Sequence, residues 1–208
     1  MLTDINNTYN LNFRACSLRP DLARLVAECY LECENWADVK NRILATNALQ
    51  TRSEKTAIRL EREMRQRLST LTQSQIEILA HAPTEDSIAM TWLAVCKRIA
   101  FVRDFAVEVL REKIEVHDYI LRPSDYEKFV DTKALSHPEL SSMNETTTNK
   151  VRQITLRMAK EAGILMKGES WGVLSRPVIS LTVRNVIRDD DERWFAVFLI
   201  SNSEMMAS

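Results

Sequence analysis

The chain has 208 residues, of which 45% are hydrophobic and 27% charged, and its formal net charge is −1. This balance is typical of globular proteins and excludes a disordered chain, and the length allows one large domain or two small ones. Because a net charge near zero argues against nucleic-acid binding by the whole surface, a basic surface would have to come from local segregation of charge.

Glycine is absent from the first 162 residues, and all three glycines lie between residues 163 and 172. Long helices joined by short polar turns tolerate this distribution, whereas the tight turns of β-hairpins often need glycine. The sequence therefore predicts a mainly α-helical, multi-helix globular fold.

The chain has no segment typical of export or membrane insertion. The N-terminal MLTDINNTYN lacks both the basic n-region and the apolar h-region of a signal peptide. The most apolar stretch, residues 87–110, is interrupted by charged residues and falls short of the roughly 20 apolar residues that cross a bilayer. We expect a cytoplasmic protein without a membrane partner.

Helical patterns begin early in the chain. Pro20 is placed to begin a helix whose apolar residues recur at i, i+3, i+4 and i+7. Asn35 and Ser53 carry side chains that cap helix starts, and they predict a second and a third helix.

A long apolar helix is predicted from Thr84, with a bend or break near Arg103. Pro123 ends this part of the chain, because the residue before a proline disfavours the helical conformation. We therefore predict an N-terminal helical domain over 1–121 and a C-terminal domain over 122–208.

The C-terminal domain begins with two signals for helix starts. The pairs Ser124 with Glu127 and Ser136 with Glu139 have the S-x-x-E spacing of capping boxes. They predict a helix followed by a very short helix over 137–143.

After a turn, a third helix is predicted over 147–162, with Gly163 as its C′ residue. Two short apolar runs around Gly-Glu-Ser predict a small β-hairpin over 164–174. The period of residues 178–187 fits a helix or a strand, and we favour a helix. The apolar end, 189–200, has the acidic start of a further helix.

These elements follow the order of a winged helix-turn-helix: a helix, a short helix, a turn, a longer helix and a hairpin. In that fold the third helix enters the DNA major groove. Between residues 150 and 188 there are eight basic and two acidic residues, so this segment carries +6 while the whole chain carries −1. Short polar side chains suit base edges, and basic ones suit phosphates. The candidate DNA-binding residues here are Thr146, Thr147, Thr148, Asn149, Lys150, Arg152, Arg157 and Lys167.

A second basic helix is predicted after Ser53. Its apolar stripe matches that of the third C-terminal helix at a constant offset of 94 residues, which raises the hypothesis of a first helix-turn-helix over 36–68. Its candidate DNA-binding residues are Arg52, Lys55, Arg59 and Arg62.

The sequence favours neither catalysis nor a cofactor. The clustered glycines leave no glycine-rich phosphate-binding loop, and no serine or cysteine has a motif of an activated nucleophile. Cys29 and Cys33 lie four residues apart with no histidine nearby, so buried thiols are favoured over a zinc site. We expect no catalytic residue, metal ligand, cofactor or small-molecule substrate.

Three segments are similar to a known family: LRPDLARLVAECYLE, WLAVCKRIAFVRDF and NKVRQITLRMAKEAGIL. On these segments the chain resembles the BrxA family, the small core proteins of bacteriophage-exclusion (BREX) defence systems. The resemblance covers nearly the whole chain. It implies a helical or nearly helical fold, a cytoplasmic and non-enzymatic role in antiphage defence, and association with DNA. The predicted hairpin would be a departure from an all-helical fold.

Two functions stay open. The first is binding of double-stranded DNA, mainly through phosphates and with low sequence specificity. The second is a scaffold or adaptor whose basic face binds other BREX subunits, an acidic protein or RNA, because a helix-turn-helix fold does not by itself determine the partner.

Overall fold

The computed structural model describes residues 8–206, and this part of the chain is mainly α-helical, as predicted. The α-helices are α1 (Pro20–Cys33), α2 (Trp36–Ala45), α3 (Glu54–Leu68), α4 (Gln73–His81), α5 (Thr84–Arg98), α6 (Ala100–Phe105), α7 (Glu112–Glu115), α8 (Pro123–Ala134), α9 (Pro138–Ser141), α10 (Glu145–Glu161), α11 (Leu181–Arg188) and α12 (Asn202–Met206). The strands are β1 (Ile120–Leu121), β2 (Leu165–Met166) and β3 (Gly172–Leu174). Within residues 8–206, no helix is both long and apolar enough to cross a membrane.

The chain folds into two compact units, each assembled from separate segments. Of the described residues, the α10 unit contains 8–14, 99–177 and 196–206, and the α3 unit contains 15–98 and 178–195. The predicted boundary near residue 122 falls inside the α10 unit, so the compact units do not coincide with the predicted division.

Aromatic packing accounts for this difference. Phe101 and Phe105 of α6 meet Tyr126 and Phe129 of α8 edge-on, with ring centroids between 5.4 and 6.4 Å apart. Such edge-to-face pairs bury large apolar rings in a favourable geometry. They hold α6 in the same unit as α8, across the proline at which the sequence pattern changes.

In the α3 unit, a nearly buried lysine of α5 binds the segment that follows α11. The Lys97 ammonium lies 2.6 Å from Asp190 Oδ2 and donates to Gln75 Oε1 at 2.9 Å. It also lies 5.7 Å from the centre of the Trp194 ring. These partners compensate the charge that Lys97 carries into the interior.

The predicted caps at the starts of α2 and α3 are confirmed. Asn35 Oδ1 accepts from the backbone of Ala37 at 2.7 Å, and Ser53 Oγ accepts from Thr56 at 3.3 Å. The long apolar helix is interrupted at Ile99, which is extended (φ −117°, ψ 90°), so the break predicted near Arg103 lies further along than the observed one.

Both predicted capping boxes of the C-terminal domain are wrong. The backbone of Arg122 donates to Asp125 Oδ2 at 2.7 Å at the start of α8, and Ser124 lies within the first turn. Ser136 Oγ donates to the carbonyl of Lys133 at 3.3 Å and therefore belongs to the end of α8. Prolines begin both α8 and α9, because a residue without an N–H fits the first turn of a helix.

The acidic members of the two predicted boxes have other surroundings. Glu127 is exposed on α8, and Glu139 contacts the backbone of Tyr9 and the ring of His137. The short helix α9 spans Pro138–Ser141 instead of the predicted 137–143.

The predicted hairpin is confirmed. β2 and β3 pair antiparallel, β1 pairs antiparallel with the other edge of β3, and the strand order is β1-β3-β2. Gly163 has φ +72°, as expected of a C′ residue that ends α10. Gly172 has φ +142°, and a Cβ there would lie 2.4 Å from the carbonyl oxygen of Met166. The close pairing of the two hairpin strands therefore requires glycine at this position.

The C-terminal part contains the helix favoured over a strand. α11 begins after Ser180, whose Oγ accepts from the backbone of Val183 at 3.2 Å. The apolar end forms a 3₁₀ helix over Glu192–Phe198, where the sequence had predicted a further regular helix.

Candidate nucleic-acid interface

The start of α10 is fixed by a side-chain cap. Asn144 Oδ1 accepts from the backbone of Thr147 at 2.9 Å, and only residues 142–144 separate α9 from α10. Thr146, predicted to lie in the turn, is in the first turn of the helix instead. With this cap the helix begins at Glu145, two residues before the predicted start at 147. The cap stabilises the earlier start because it provides a partner for a backbone N–H that would otherwise be unsatisfied.

A groove of about 940 Å³ opens beside this helix start, and we call it the α10 groove. It brings together five of the predicted residues, which are Thr146, Thr147, Asn149, Lys150 and Arg152. Two residues that were not predicted, Arg14 and Trp171, also line it.

Three of these residues carry positive charge, and each is held by a neutral partner. Lys150 donates to Gln153 Oε1 at 3.0 Å, and Arg152 donates to Asn149 Oδ1 at 2.9 Å. Arg14 donates to Thr147 Oγ1 at 3.0 Å. Among residues 8–206, no carboxylate pairs with any of the three cations. Their charge therefore remains available to an anion in the groove.

Trp171 supports one of these cations. The guanidinium carbon of Arg152 lies 5.6 Å from the centre of the indole, within the range of a cation–π contact. The indole ring lies 6.0 Å from that of Tyr126, whose pKa is raised above its ordinary range by burial. The neutral phenol of Tyr126 thus lies beside Trp171, which in turn packs against Arg152.

The remaining predicted residues of this region do not line the groove. Thr148 Oγ1 donates to the backbone carbonyl of Asn144 at 3.2 Å, so its hydroxyl stabilises the helix start. Arg157 forms an ion pair of 2.8 Å with Glu161 one turn further along α10. Lys167 is exposed in the loop between β2 and β3.

The two additional groove residues differ in how well sequence could reveal them. Trp171 lies in the predicted hairpin, and an aromatic residue beside a basic helix was a usable signal. Arg14 is separated from Thr147 by 133 positions, and no local pattern connects the two.

The second predicted basic helix, α3, presents its cations differently. Arg52, Lys55, Arg59 and Arg62 are exposed and have no ion-pair partner in the described part of the chain. The last three are spaced by four and three residues and therefore share one face of the helix. Eight residues, 46–53, connect α2 to α3.

The other two arginines of α3 are more buried, since Arg65 is half-buried and Arg67 is fully buried. Arg65 forms an ion pair of 2.7 Å with Glu61, and Arg67 forms one of 2.9 Å with Glu63. The fully buried Arg67 also donates to the backbone carbonyls of Ser17 at 2.7 Å and Cys16 at 3.0 Å. Two of the five cations of α3 are thus used within the fold.

Comparison of the sequence with known proteins gives matches that carry the name BrxA. The sequence matches the BrxA family over residues 7–191. A BREX protein BrxA of Bacillus cereus is 25% identical over 151 residues, which are 73% of this chain and 76% of that protein. A BREX protein BrxA of Paramagnetospirillum magneticum is 23% identical over 186 residues, covering 89% of this chain and 93% of the relative.

A third relative carries the same name, and a solved structure has the same fold. A BREX protein BrxA of Escherichia coli O9:H4 is 26% identical over 141 residues, covering 68% of this chain and 66% of the relative. The crystal structure of an uncharacterized protein from Magnetospirillum magneticum is similar with a TM-score of 0.76 at 20% identity, covering 92% of this chain and 97% of that one. At this identity the structural likeness shows a shared fold.

Proposed function

The chain belongs to the BrxA family, and from this premise we propose that it is a non-enzymatic, double-stranded-DNA-binding component of a bacterial BREX antiphage defence system. Other BREX subunits are its proposed protein partners, in line with the name that its relatives carry. DNA binding occurs mainly through phosphate contacts and has low sequence specificity.

The observation that carries this proposal is the charge of the α10 groove. Arg14, Lys150 and Arg152 converge on one groove, and no carboxylate among the described residues neutralises them. A surface that concentrates unpaired cations attracts the phosphates of a duplex and releases their counterions on binding. The net charge of −1 does not oppose this, because no acidic residue lines the groove, although Glu145 begins the same helix.

The arrangement of elements supports a winged helix-turn-helix as the binding unit. Three residues separate α9 from α10, in keeping with the three- to four-residue turn of that motif. The β2–β3 hairpin follows α10 and takes the place of the wing, with Lys167 in its loop. In this assignment α10 is the helix that enters the major groove.

Low sequence specificity follows from how the polar side chains of α10 are used. Asn149 already accepts from Arg152, and Thr148 already donates to the carbonyl of Asn144. With Thr147, which accepts from Arg14, three polar side chains at this helix start already have partners, whereas the basic groups keep free N–H donors for phosphates.

A binding role is also supported by the chemistry of the groove. The described residues that line it include no carboxylate, imidazole or thiol, and its lysine and threonines have no carboxylate or histidine in the lining to act as a base for them. The exposed face of α3 is a second and weaker candidate surface for phosphates, because its cations are unpaired but lie on an open helix face.

The proposal is tested with the full chain and a labelled random-sequence duplex over a salt series. Three phosphate contacts predict that log affinity falls by at least about 2.7 units per log unit of salt. The variant Lys150→Glu/Arg152→Glu should bind about 100-fold more weakly at about 0.1 M salt and flatten the slope by about two units. The control Lys40→Glu/Arg193→Glu changes the same charge at exposed positions in the α3 unit and should have a much smaller effect.

Unchanged binding by the α10 variant at low salt would remove the groove from the DNA site. A wild-type chain that shifts no DNA, yet retains partner proteins after nuclease treatment, would support the scaffold or adaptor function instead.

A further inference from the structure

The N-terminal segment, residues 8–14, is anchored within the α10 unit by two buried aromatic side chains. Tyr9 is 5% exposed and Phe13 is 3% exposed. The Tyr9 ring stacks on that of His137 at a centroid distance of 3.8 Å and meets Phe101 edge-on at 5.4 Å. Phe13 also packs against Phe101, at 6.3 Å.

Polar contacts reinforce this anchor. The Tyr9 hydroxyl donates to Asp104 Oδ2 at 2.7 Å, and its backbone N–H donates to Glu139 Oε1. The same glutamate lies 3.1 Å from His137 Nδ1. Burial raises the pKa of Tyr9 above its ordinary range, so the phenol stays protonated and keeps this donor. The segment is therefore fixed in place before any ligand arrives.

The last residue of the segment, Arg14, lies at the α10 groove. Its Nε donates to the carbonyl of Leu11 at 3.2 Å, and one terminal nitrogen donates to Thr147 Oγ1. A guanidinium has about five N–H donors, so most of the donor capacity of Arg14 is unused among residues 8–206. Because Arg14 has no carboxylate partner there, both its charge and these donors are available.

We propose that Arg14 is a DNA-contacting residue, and that the N-terminal segment is an arm that positions it beside Lys150 and Arg152 to bind the same stretch of DNA backbone. This inference rests on the proposed function of the α10 groove. A planar guanidinium matches the geometry of a phosphate with two parallel N–H donors. Because the arm is already anchored, ordering Arg14 costs little conformational entropy on binding.

The contact itself is tested by Arg14→Ala and Arg14→Lys in the full chain. Loss of one phosphate contact predicts about eightfold weaker binding of the random duplex at about 0.1 M salt and a slope flatter by about 0.9. Arg14→Lys should retain the slope and lose only part of the affinity, because it keeps the charge without the guanidinium fork. Lys40→Ala, which removes an exposed cation without an ion-pair partner among the described residues, in the α3 unit, is the matched control.

The positioning role is tested by double-mutant cycles. Tyr9→Ala and Thr147→Val each remove a support of Arg14, and each should weaken DNA binding in the wild-type background. In the Arg14→Ala background neither should weaken it further, because residues that act through one contact are not additive. Tyr9→Ala could weaken binding by destabilising the fold, which a lowered thermal midpoint would show. In that case Thr147→Val decides whether Arg14 is positioned by its supports, because it leaves the buried anchor intact.

The outcomes separate this inference from the proposed function. An unchanged salt slope in Arg14→Ala, together with weak binding by Lys150→Glu/Arg152→Glu, overturns the role of Arg14 and leaves the groove as the DNA site. Additive losses in the cycles overturn the positioning role. If no groove variant changes binding, both the inference and the proposed function fail.

Discussion

The two basic helices of this protein, α3 and α10, have similar apolar stripes but place their unpaired cations on different kinds of surface. In α3, the more buried arginines Arg65 and Arg67 pair with acids of the same helix, and the outward ones lie on an open face. In α10, Arg157 also pairs with an acid of its own helix, but Lys150 and Arg152 lie near the helix start, beside a groove lined by Arg14 and Trp171 from elsewhere in the chain. Counting basic residues along the sequence would rank α3 above α10 as a DNA site.

The surface on which an unpaired charge lies therefore matters as well as the number of charges. A paired arginine inside a fold contributes to stability and little to the field outside it, whereas an unpaired one at a concave surface concentrates the potential. The connections differ as well, since three residues lead into α10 and eight lead into α3. Only the shorter connection matches the turn of a helix-turn-helix.

The largest expected effect is on stability, and it distinguishes a buried from an exposed arginine of α3. Arg67→Met should lower the free energy of unfolding by about 3–5 kcal/mol, because Glu63 and two buried carbonyls lose their partner. Arg62→Met, on the exposed face of the same helix, should change it by less than about 0.5 kcal/mol. Urea denaturation of the two variants measures this difference. Equal losses would show that the outward arginine is also structural.

The next effect compares the two surfaces directly. Lys55→Glu/Arg59→Glu/Arg62→Glu should weaken binding of the random duplex by about tenfold at about 0.1 M salt, compared with about 100-fold for Lys150→Glu/Arg152→Glu. The reason is that an open helix face attracts DNA at a distance, where salt screens the charge. A gel shift over a salt series measures both variants, and the opposite ranking would make α3 the main site.

The sequence predicts the parts of this fold that depend on neighbouring residues. The caps by Asn35 and Ser53, the C′ role of Gly163 and the hairpin over 164–174 each depend on residues close together in the chain. The failures at Ser124 and Ser136 arose where a proline competed with a capping motif for the helix start.

The candidate site was predictable only in part, for the same physical reason. The α10 residues share one helix start, so their spacing brought most of them into one prediction. Arg14 reaches the groove through the burial of Tyr9 and Phe13 against residues about a hundred positions away, and such packing has no local signature.

The smallest expected effect comes from removing the side-chain caps at the starts of α10 and α3. Asn144→Ala and Ser53→Ala should each lower the free energy of unfolding by about 1 kcal/mol, because each removes a side-chain acceptor at a helix start. Only Asn144→Ala should also weaken DNA binding, since it loosens the turn that carries Thr147. Thermal unfolding and the salt-series assay measure the two effects. A similar loss of binding in Ser53→Ala would place both helix starts at the DNA.

The interleaving of the two compact units has a consequence for how the protein is made. The α3 unit needs residues up to 195 and the α10 unit needs residues from 196 onward, so neither can be completed until the ribosome has translated these residues. A chain stopped at residue 177 would leave the Lys97 ammonium without Asp190, its carboxylate partner. Pairings this distant in sequence close late in folding. Nascent chains of this protein are therefore expected to depend on protection from aggregation until residues 178–206 have left the ribosome.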